Sequence, residues 1–589
     1  MQRYNVIVIG AGSAGAAAAA RISEDPRRTV LLLEAGPDYP DLGSLPLDVR
    51  QGHATGADNV VGGRHDWQFI GRGTSLNEDM PVARGYVMGG TSAINGQVFL
   101  RGLPEDFDQW AAWGNTEWSW QKVLPCFRKL ETDLNYPGGD FHGSDGPILV
   151  RRYQPNELLA DQSAFVRACR DYGFPDCPDH NDPGGWGVGP LPLNNPDGIR
   201  WSTSLGYLGP ARHRLNLTVR GNCLVRRILF EPSEGSSGPA RSGAGRSAQE
   251  RQGLRAIGVE VESPYYRWGR KTVPEALEGP VLPPGGPSSA SAPSVRGIEP
   301  DGSSFQTLSP SPSPDGRGET FLVYADEVIL CAGPIASPQL LTLSGIGPAA
   351  QVRDLGLHVL ADLPGVGQNL RDHPMVHVVW KAKDGFPMPD LKVGPQKVAL
   401  RYTAPGSDLR ADMSTVMRWS SQTRVFLMSA VIYLAKSAGE LRVASPDPHV
   451  QPSLDYRLLD HPEDMRRMKD GVRLNIRLGE HPSYRDILGG LTGPTPDEAA
   501  IDEALETWLL RNTQSMGHIS GTCKMGPDSD PMAVVDQSLH VHGVEGLRVA
   551  DCSIMPDCVR ANTNATAIMI GERVAEFVKG DGQPAIMSF

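Results

Sequence analysis

Three glycines and one carboxylate near the N-terminus have residue types and a spacing that can do chemistry. Gly10, Gly12 and Gly15 follow an apolar, β-branched run at residues 6–9, and Glu34 ends the next such run. The glycines allow a tight turn, a close backbone approach to a pyrophosphate and close packing of the following helix. The N-terminus of that helix offers unpaired N–H groups to phosphate. The pattern predicts a dinucleotide-binding unit in which Glu34 accepts ribose hydroxyls, and it leaves FAD and NAD both open.

Four further glycine-containing segments follow along the chain, and the first of them, at 84–96, is rich enough in small residues for its backbone to pass close to a flat ligand. They read RGYVMGGTSAING at 84–96, CAGPIASPQLL at 331–341, HISGTCKMG at 518–526 and NTNATAIMIGE at 562–572. With these segments in this order, the sequence resembles the glucose–methanol–choline (GMC) oxidoreductase family of flavoproteins. The resemblance runs from residue 5 to about residue 579.

The resemblance implies an α/β fold (α+β overall) with two parts. One is a Rossmann-type FAD-binding domain, expected at residues 1–155, 191–375 and 515–589. The other is a substrate domain with an antiparallel sheet flanked by helices, expected at 156–190 and 376–514. The expected cofactor is therefore FAD.

Two residues near the C-terminus are the catalytic candidates that the resemblance implies. His518 fits the general base of an enzyme that oxidises the CH–OH group of an alcohol by hydride transfer to flavin N5, and a near-neutral imidazole pKa suits this proton transfer. Asn564 fits the second catalytic position, which the family fills with His or Asn. Asn562 is the alternative, but the spacing to residues 568–572 favours Asn564. A helix predicted from residue 564 to about residue 579 directs its positive end at the flavin.

Contacts with FAD are carried over residue by residue from the matched segments. Val225 fits an adenine-side backbone contact, and Asp551 fits a contact with the ribityl and pyrophosphate part. Some family members attach flavin covalently to a histidine, and Ile94 aligns with that position, so non-covalent FAD is expected. The full expected set is Gly10, Gly12, Ser13, Ala14, Gly15, Glu34, Ala35, Arg84, Met88, Gly89, Gly90, Asn95, Gly96, Gln97, Val98, Val225, Ala332, Gly333, Asp551, Cys552, Thr563, Ala565 and Thr566.

Composition excludes several other classes of protein. The 589 residues include 56 Lys and Arg against 68 Asp and Glu, a net charge of −12, which argues against nucleic acid as a partner. The eight cysteines are too dilute for a disulfide scaffold and form no C-x-x-C pair, so we expect buried thiols, a cytoplasmic protein and no metal site. No apolar run reaches the roughly 18 residues of a membrane helix. A monomer or homodimer is expected.

Residues 264–317 are rich in Gly, Ser and Pro and predict a largely disordered insertion. It separates two predicted strands of one β-meander, at 256–261 and 320–325. A docking or regulatory role for this insertion remains open.

Several functional alternatives also remain open. The electron acceptor is dioxygen, a quinone or a carrier protein. An apolar or aromatic alcohol is favoured over choline, because no acid for a trimethylammonium group is identified. A hydroxynitrile lyase-like, non-redox enzyme is the main alternative. The fatty-acid photodecarboxylase branch is disfavoured because residues 332–522 contain no cysteine.

Overall fold

The computed structural model describes residues 3–51, 62–233, 253–263, 319–389, 394, 396–421 and 423–580. The predicted insertion at 264–317 lies outside the described residues. The strands are β1 (Arg3–Ile9), β2 (Val30–Leu33), β3 (Phe69–Gly71), β4 (Met80–Val82), β5 (Glu131–Asp133), β6 (Ile148–Val150), β7 (Gly187–Pro190), β8 (Leu217–Arg220), β9 (Leu224–Ser233), β10 (Gly253–Ser263), β11 (Glu319–Leu330), β12 (Ile346–Gly347), β13 (Ala361–Asp362), β14 (Pro374–Ala382), β15 (Val398–Tyr402), β16 (Met413–Ser420), β17 (Val425–Ile432), β18 (Glu440–Arg442), β19 (Ser453–Asp455), β20 (Leu488–Gly493), β21 (Gln514–Ser515), β22 (Val544–Glu545) and β23 (Leu547–Val549). The helices are α1 (Ser13–Ile22), α2 (Leu47–Arg50), α3 (Pro104–Ala112), α4 (Trp120–Lys129), α5 (Ala160–Asp171), α6 (Gly209–Ala211), α7 (Gly333–Leu343), α8 (Ala349–Asp354), α9 (Pro462–Gly479), α10 (Pro496–Ala500), α11 (Asp502–Asn512) and α12 (Thr563–Gly580).

The first sheet contains the predicted dinucleotide-binding unit. Its strand order is β22-β10-β11-β1-β2-β8, with β23 paired to β11 and β9 to β10. β1 pairs in parallel with β2 and β11, and β2 pairs in parallel with β8. All four residues of β2 and the last four of β1 are buried, as expected for strands covered on both faces. The glycine loop leaves the carboxyl end of β1 and enters α1, which is the Rossmann arrangement.

The same sheet carries the predicted β-meander. β9, β10 and β11 are antiparallel neighbours, and Gly258 in β10 lies opposite Tyr324 in β11. β11 is long enough to pair with β10 through its first half and with β1 through its second half. The meander is therefore built directly onto the parallel core.

The second sheet is antiparallel and has the order β20-β14-β17-β16-β15-β7, with β21 paired to β14. Alternation along β14, β16 and β17 divides the side chains between two faces. One face packs on α9 and α11 and is apolar, with Val376, Val378, Met417, Phe426 and Met428 buried. The other face carries Met375, His377, Val416, Arg418, Leu427 and Ser429, all of which line a cavity between the sheets.

Helix packing places the last helix beside the glycine loop. α12 packs on α1, and a Cβ at Gly571 would lie 2.3 Å from the carbonyl oxygen of Ala14. This close approach brings the N-terminus of α12, at Thr563, to the cavity. The sequence predicts one helix over 496–510, but the structure has α10 and α11 because Ile501 adopts an extended conformation.

The described residues include all eight cysteines, and each is a buried thiol. No helix in the described part of the chain combines the length and apolarity that crossing a membrane requires.

A buried ionic cluster lies beside β5 and β6. Its members are Arg101, Glu131, Asp133, His142, Arg152 and Asp179. The ligand atoms of Glu131, Asp133 and His142 lie within 4.8 Å of one another, which is close enough for a metal ion. Guanidinium groups already occupy these carboxylates, because Arg101 pairs with Glu131 and Arg152 with Asp133. The cluster therefore neutralises its own charge.

His142 supplies the third positive charge of this cluster. Burial alone would lower the pKa of His142, but hydrogen bonds with Asp133, Asp179 and Glu131 outweigh it and raise the pKa to about 10. Because the folded-state pKa is raised, the stabilisation is complete below the unfolded value near 6.5 and is lost as pH rises through about 10.

We predict that His142→Gln lowers the free energy of unfolding by about 3 kcal/mol at pH 7, because it leaves buried carboxylates short of one positive charge. Urea denaturation of the wild type and the variant measures the difference. The difference should shrink as pH rises from about 7 to about 10, whereas His540→Gln, at a partly exposed histidine, should change little. A difference that stays constant across this range would contradict the charged state of His142.

Candidate active site

A cavity of about 1150 Å³ lies between the two sheets. The glycine loop after β1 and the start of α7 line one end of it. The segment from Ile94 to Val98 and the cavity face of the second sheet line another part, together with His518 and Asn562. One continuous cavity therefore joins the predicted dinucleotide-binding unit to the predicted catalytic histidine.

Most of the residues expected to contact FAD line this cavity. They are Gly10, Gly12, Ser13, Ala14, Glu34, Ala35, Arg84, Gly90, Asn95, Gly96, Gln97, Val98, Val225, Ala332, Gly333, Asp551, Cys552 and Thr563. Ile94, which takes the place of a flavin-linked histidine, also lines it.

Five expected contact residues lie behind the cavity wall instead: Gly15, Met88, Gly89, Ala565 and Thr566. Gly15 is needed for packing, because a Cβ there would lie 1.9 Å from the carbonyl oxygen of Gly10. Gly89 has a φ of 96°, which favours glycine. The other three are buried side chains that support the wall. Their place in the matched segments reflects packing and backbone geometry.

The wall fits a bound FAD in two respects. A Cβ atom added at Gly12 would have one neighbour within 4 Å, the Cα of Gly90 at 4.0 Å. A Cβ atom added at Gly333 would have none within 4 Å. The protein itself therefore leaves open space at these two helix N-termini. Several buried polar atoms also lack a protein partner, including Arg84 Nε and Nη2, Gln97 Oε1 and Asn564 Nδ2. Buried polar atoms normally have hydrogen-bond partners, so a polar ligand fits this wall.

Two buried carboxylates shape the dinucleotide end of the cavity. Glu34 accepts hydrogen bonds from the backbone N–H groups of Ala11 (2.8 Å) and Gly36 (2.9 Å). Burial raises the pKa of Glu34 to about 7, although these N–H groups oppose the shift. Asp551 accepts from the Gly333 N–H and, at 2.6 Å, from the Ser337 hydroxyl, so it caps α7. Asp551 therefore orients the α7 N-terminus as well as facing the cavity.

His518 lies on the cavity wall with both ring nitrogens engaged. Its Nε2 accepts from the Asn562 amide at 3.1 Å, and its Nδ1 lies 2.9 Å from Nδ1 of His373. An amide NH₂ only donates, so His518 carries its proton on Nδ1 and donates it to His373. Burial lowers the pKa of His518 well below its usual value, and His373 and Arg84 lower it further. The ring is therefore neutral, with a basic Nε2 at the cavity.

The structure brings Asn562, and not Asn564, to His518. The Asn564 side chain accepts a hydrogen bond from the Ser13 hydroxyl at 2.8 Å and thereby links α12 to α1. This is a correction to the preferred sequence assignment. The physical reason is that α12 begins at Thr563, so Asn562 lies in the preceding loop and faces His518 while Asn564 lies in the first helical turn.

Sequence reasoning missed the two residues that hold His518 in place. The Asp372 carboxylate accepts the backbone N–H of His518 at 3.0 Å and that of His373 at 2.6 Å. It also accepts the Ser515 hydroxyl. Asp372 and His373 stand just before β14, 145 residues from His518 in sequence. Two adjacent titratable residues entering a buried strand were a signal, but nothing in the sequence linked them to His518.

The second sheet lines the cavity with apolar and polar side chains. His377 Nδ1 lies 2.8 Å from the Ser429 hydroxyl, and burial, with nearby Arg418, lowers the pKa of His377 to about 3. Among the described residues, the carboxylates lining the cavity are Glu34, Glu262, Asp447 and Asp551. Glu262 and Asp447 bond to His449, and Glu34 and Asp551 bond as described above. None of them lies on this sheet face.

A Rossmann sheet, a cavity leading from its glycine loop and a buried neutral histidine at the other end define a dinucleotide-dependent oxidoreductase. A GMC oxidoreductase model for the N-terminal part matches residues 4–275 and 311–375, and one for the C-terminal part matches residues 435–571. The chain belongs to the GMC oxidoreductase family, and its cofactor is FAD.

Curated relatives match along almost the whole chain. The chain is 32% identical over 616 residues to the oxygen-dependent choline dehydrogenase of Escherichia coli O17:K52:H18 (strain UMN026 / ExPEC), covering 98% of this chain and 96% of the relative. It is 33% identical over 615 residues to the protein of the same description from Klebsiella pneumoniae, with the same coverage.

Solved structures share the fold over the same extent. The structure of pyridoxine 4-oxidase from Mesorbium loti superposes with a TM-score of 0.78 at 25% identity, covering 98% of this chain and 99% of that one. A formate oxidase structure has a TM-score of 0.78 at 21% identity and covers 99% of each chain, which supports the fold alone.

The two helix-entry glycines should respond differently to alanine. We predict that Gly12→Ala folds normally but weakens FAD binding about tenfold or more, because its methyl group occupies the space for the pyrophosphate. Gly15→Ala should instead lower the free energy of unfolding by about 2 kcal/mol, because its Cβ clashes with the backbone. FAD titration and urea denaturation separate the effects. Normal FAD affinity in Gly12→Ala would contradict the placement of FAD at this loop.

Proposed function

We propose that this protein is an FAD-dependent alcohol oxidoreductase in which His518 is the general base and Asn562 its partner. The observation that carries the proposal is the 3.1 Å contact between the Asn562 amide and Nε2 of a neutral His518 at the cavity wall. The relatives support the reaction class, since the descriptions of two of them name an alcohol, choline or pyridoxine.

The residues divide the chemistry between them. A substrate hydroxyl enters between His518 and Asn562 and donates a hydrogen bond to the unprotonated Nε2. As the alcohol becomes a carbonyl compound, its hydroxyl proton moves to Nε2, and the Asn562 amide donates to the substrate oxygen. When bound, FAD would supply the acceptor for the hydride that leaves carbon. The second sheet excludes water from this end of the cavity.

Dioxygen is the acceptor we favour, because the curated relatives are described as oxygen-dependent and the pyridoxine relative as an oxidase. We also propose that FAD is held without a covalent bond, since isoleucine occupies position 94, where the family attaches flavin to histidine. We assign the first sheet and its helices to FAD binding and the second sheet to substrate binding.

The substrate side favours an alcohol without a cationic group. Met375, Val416 and Leu427 provide apolar surface, and Arg418 lines the cavity on the same sheet face. A carboxylate is one of the groups that can recognise a trimethylammonium group, and the described part of this face has no carboxylate. The proposed substrate is therefore a neutral primary or secondary alcohol with an apolar or aromatic body.

The anaerobic absorbance spectrum tests this function. We expect the flavin band near ~450 nm to bleach with neutral aromatic or aliphatic alcohols, and choline to bleach it at least about tenfold more slowly at equal concentration. Re-admitting air should restore the band. A flavin that no alcohol bleaches would reject the oxidoreductase in favour of a lyase-like enzyme, and faster bleaching by choline would reject the substrate class.

Three variants test the catalytic pair. His518→Ala should slow flavin reduction about 100-fold or more with FAD still bound, because the base is lost. Asn562→Ala should slow it about tenfold or more. Asn564→Ala is the matched control at the neighbouring asparagine, and it should affect FAD retention through the lost Ser13 contact more than the rate. Stopped-flow reduction and the FAD-to-protein ratio measure these effects. A larger slowing of flavin reduction in Asn564→Ala than in Asn562→Ala would restore the assignment to Asn564.

A further inference from the structure

His518 faces a second buried histidine that the proposed reaction does not use. We propose that His373 is a positioning residue that fixes the Nδ1–H tautomer of His518 and so keeps the Nε2 lone pair directed at the substrate. This inference rests on the proposed function, because it concerns how the general base is held ready. Neither the family match nor the sequence motifs assign a role to His373.

The geometry is that of a hydrogen bond between two rings. The Nδ1 atoms are 2.9 Å apart, and the ring centroids are 5.0 Å apart at an interplanar angle of 79°. Only one of the two Nδ1 atoms can carry the proton. Because Asn562 donates to Nε2 of His518, that ring must be the donor at Nδ1, and His373 must be the acceptor.

His373 is suited to accept because it is neutral. It has no exposed surface, and burial lowers its pKa to about 3. Hydrogen bonds with the backbones of Val559 and Tyr433 oppose this shift. A ring that never protonates in the working range keeps one lone pair. With its own proton on Nε2, that lone pair lies on Nδ1, facing His518.

A neutral acceptor has a consequence that a carboxylate would not have. A carboxylate beside Nδ1 holds the tautomer but also raises the pKa of the histidine by stabilising the imidazolium. A neutral imidazole holds the same tautomer without adding a negative charge. His518 therefore stays unprotonated at neutral pH, which a base that must accept a proton requires.

The backbone holds the two rings opposite each other. Arg371 and Ser520 exchange both backbone hydrogen bonds, at 2.9 and 2.8 Å, and Pro374 lies opposite Ser515 in the β14–β21 pair. Asp372, between these two pairings, accepts the N–H of His518. The Tyr433 ring packs edge-on against His373 with centroids 5.1 Å apart. The distance between the rings is therefore set by structure outside them.

Two substitutions at position 373 separate positioning from packing. His373→Leu removes the acceptor, whereas His373→Asn places an amide oxygen close to where Nδ1 stands. His180→Leu is the matched control, because His180 is also fully buried with a pKa lowered to about 3 but does not line the cavity. All variants are measured as FAD-loaded enzymes, by anaerobic flavin reduction with the best alcohol substrate.

We expect His373→Leu to slow flavin reduction at saturating alcohol about tenfold or more, with little change in the apparent substrate dissociation constant and in FAD content. His373→Asn should recover most of the rate, and His180→Leu should keep it. Equal loss in the Leu and Asn variants, or loss in the His180 control, would overturn the proposal by showing a general effect of packing.

The tautomer of His518 can also be measured directly in the wild-type holoenzyme, and this measurement does not depend on the activity of any variant. With ¹⁵N-labelled histidine, the His518 ring should show a protonated Nδ1 and an unprotonated Nε2, its signals identified by their absence in His518→Ala. A proton on Nε2 would overturn the proposal. If His518→Ala reduces flavin as fast as the wild type, the proposed function itself fails. If that variant is slow while His373→Leu is normal, only this inference fails.

Discussion

The pairing of residues 371–375 with residues 514–520 is the constraint on which the candidate site depends. It joins β14 of the second sheet to the segment that carries His518, through the β14–β21 ladder and the Arg371–Ser520 pair. Asp372 reinforces it by accepting the His518 N–H. The chain then returns to the first sheet, where the Cys523 N–H donates to the Ser553 carbonyl, near the capping Asp551. One short pairing therefore sets the position of the base relative to both sheets.

Around this pairing, the histidine rings at the His518 end of the cavity carry no charge. His518, His373 and His377 are all held neutral, chiefly by burial. Burial also raises the pKa of Asp372, although its hydrogen bonds oppose the shift. Strong ionic interactions occur elsewhere, in the cluster around His142, where they have no contact with the cavity.

The family relationship supports an alcohol-type substrate, and the proposed substrate class differs from the choline named for the curated relatives. Choline carries a permanent positive charge, and the described sheet face that closes the cavity presents a guanidinium rather than a carboxylate. At 32% identity the overall fold and the cofactor are shared, while the side chains of a pocket wall are free to change.

The sequence by itself determined the cofactor unit and the family, and it predicted His518 as the candidate base. Glycine spacing can be interpreted from the sequence, because a tight turn and a close backbone approach depend on neighbouring residues. His518 was identified through the motif that contains it. The meander strands and the start of α12 were also predicted within a few residues. The sequence pattern favoured Asn564 for the second catalytic position, however, whereas the structure places Asn562 against His518.

Tertiary structure alone decided that Asn562 contacts His518, that His373 lies against His518, and that the helix breaks at Ile501. The physical reason is that a hydrogen bond between residues 145 positions apart depends on strand register and on the phase at which a helix begins. A local pattern does not encode either quantity.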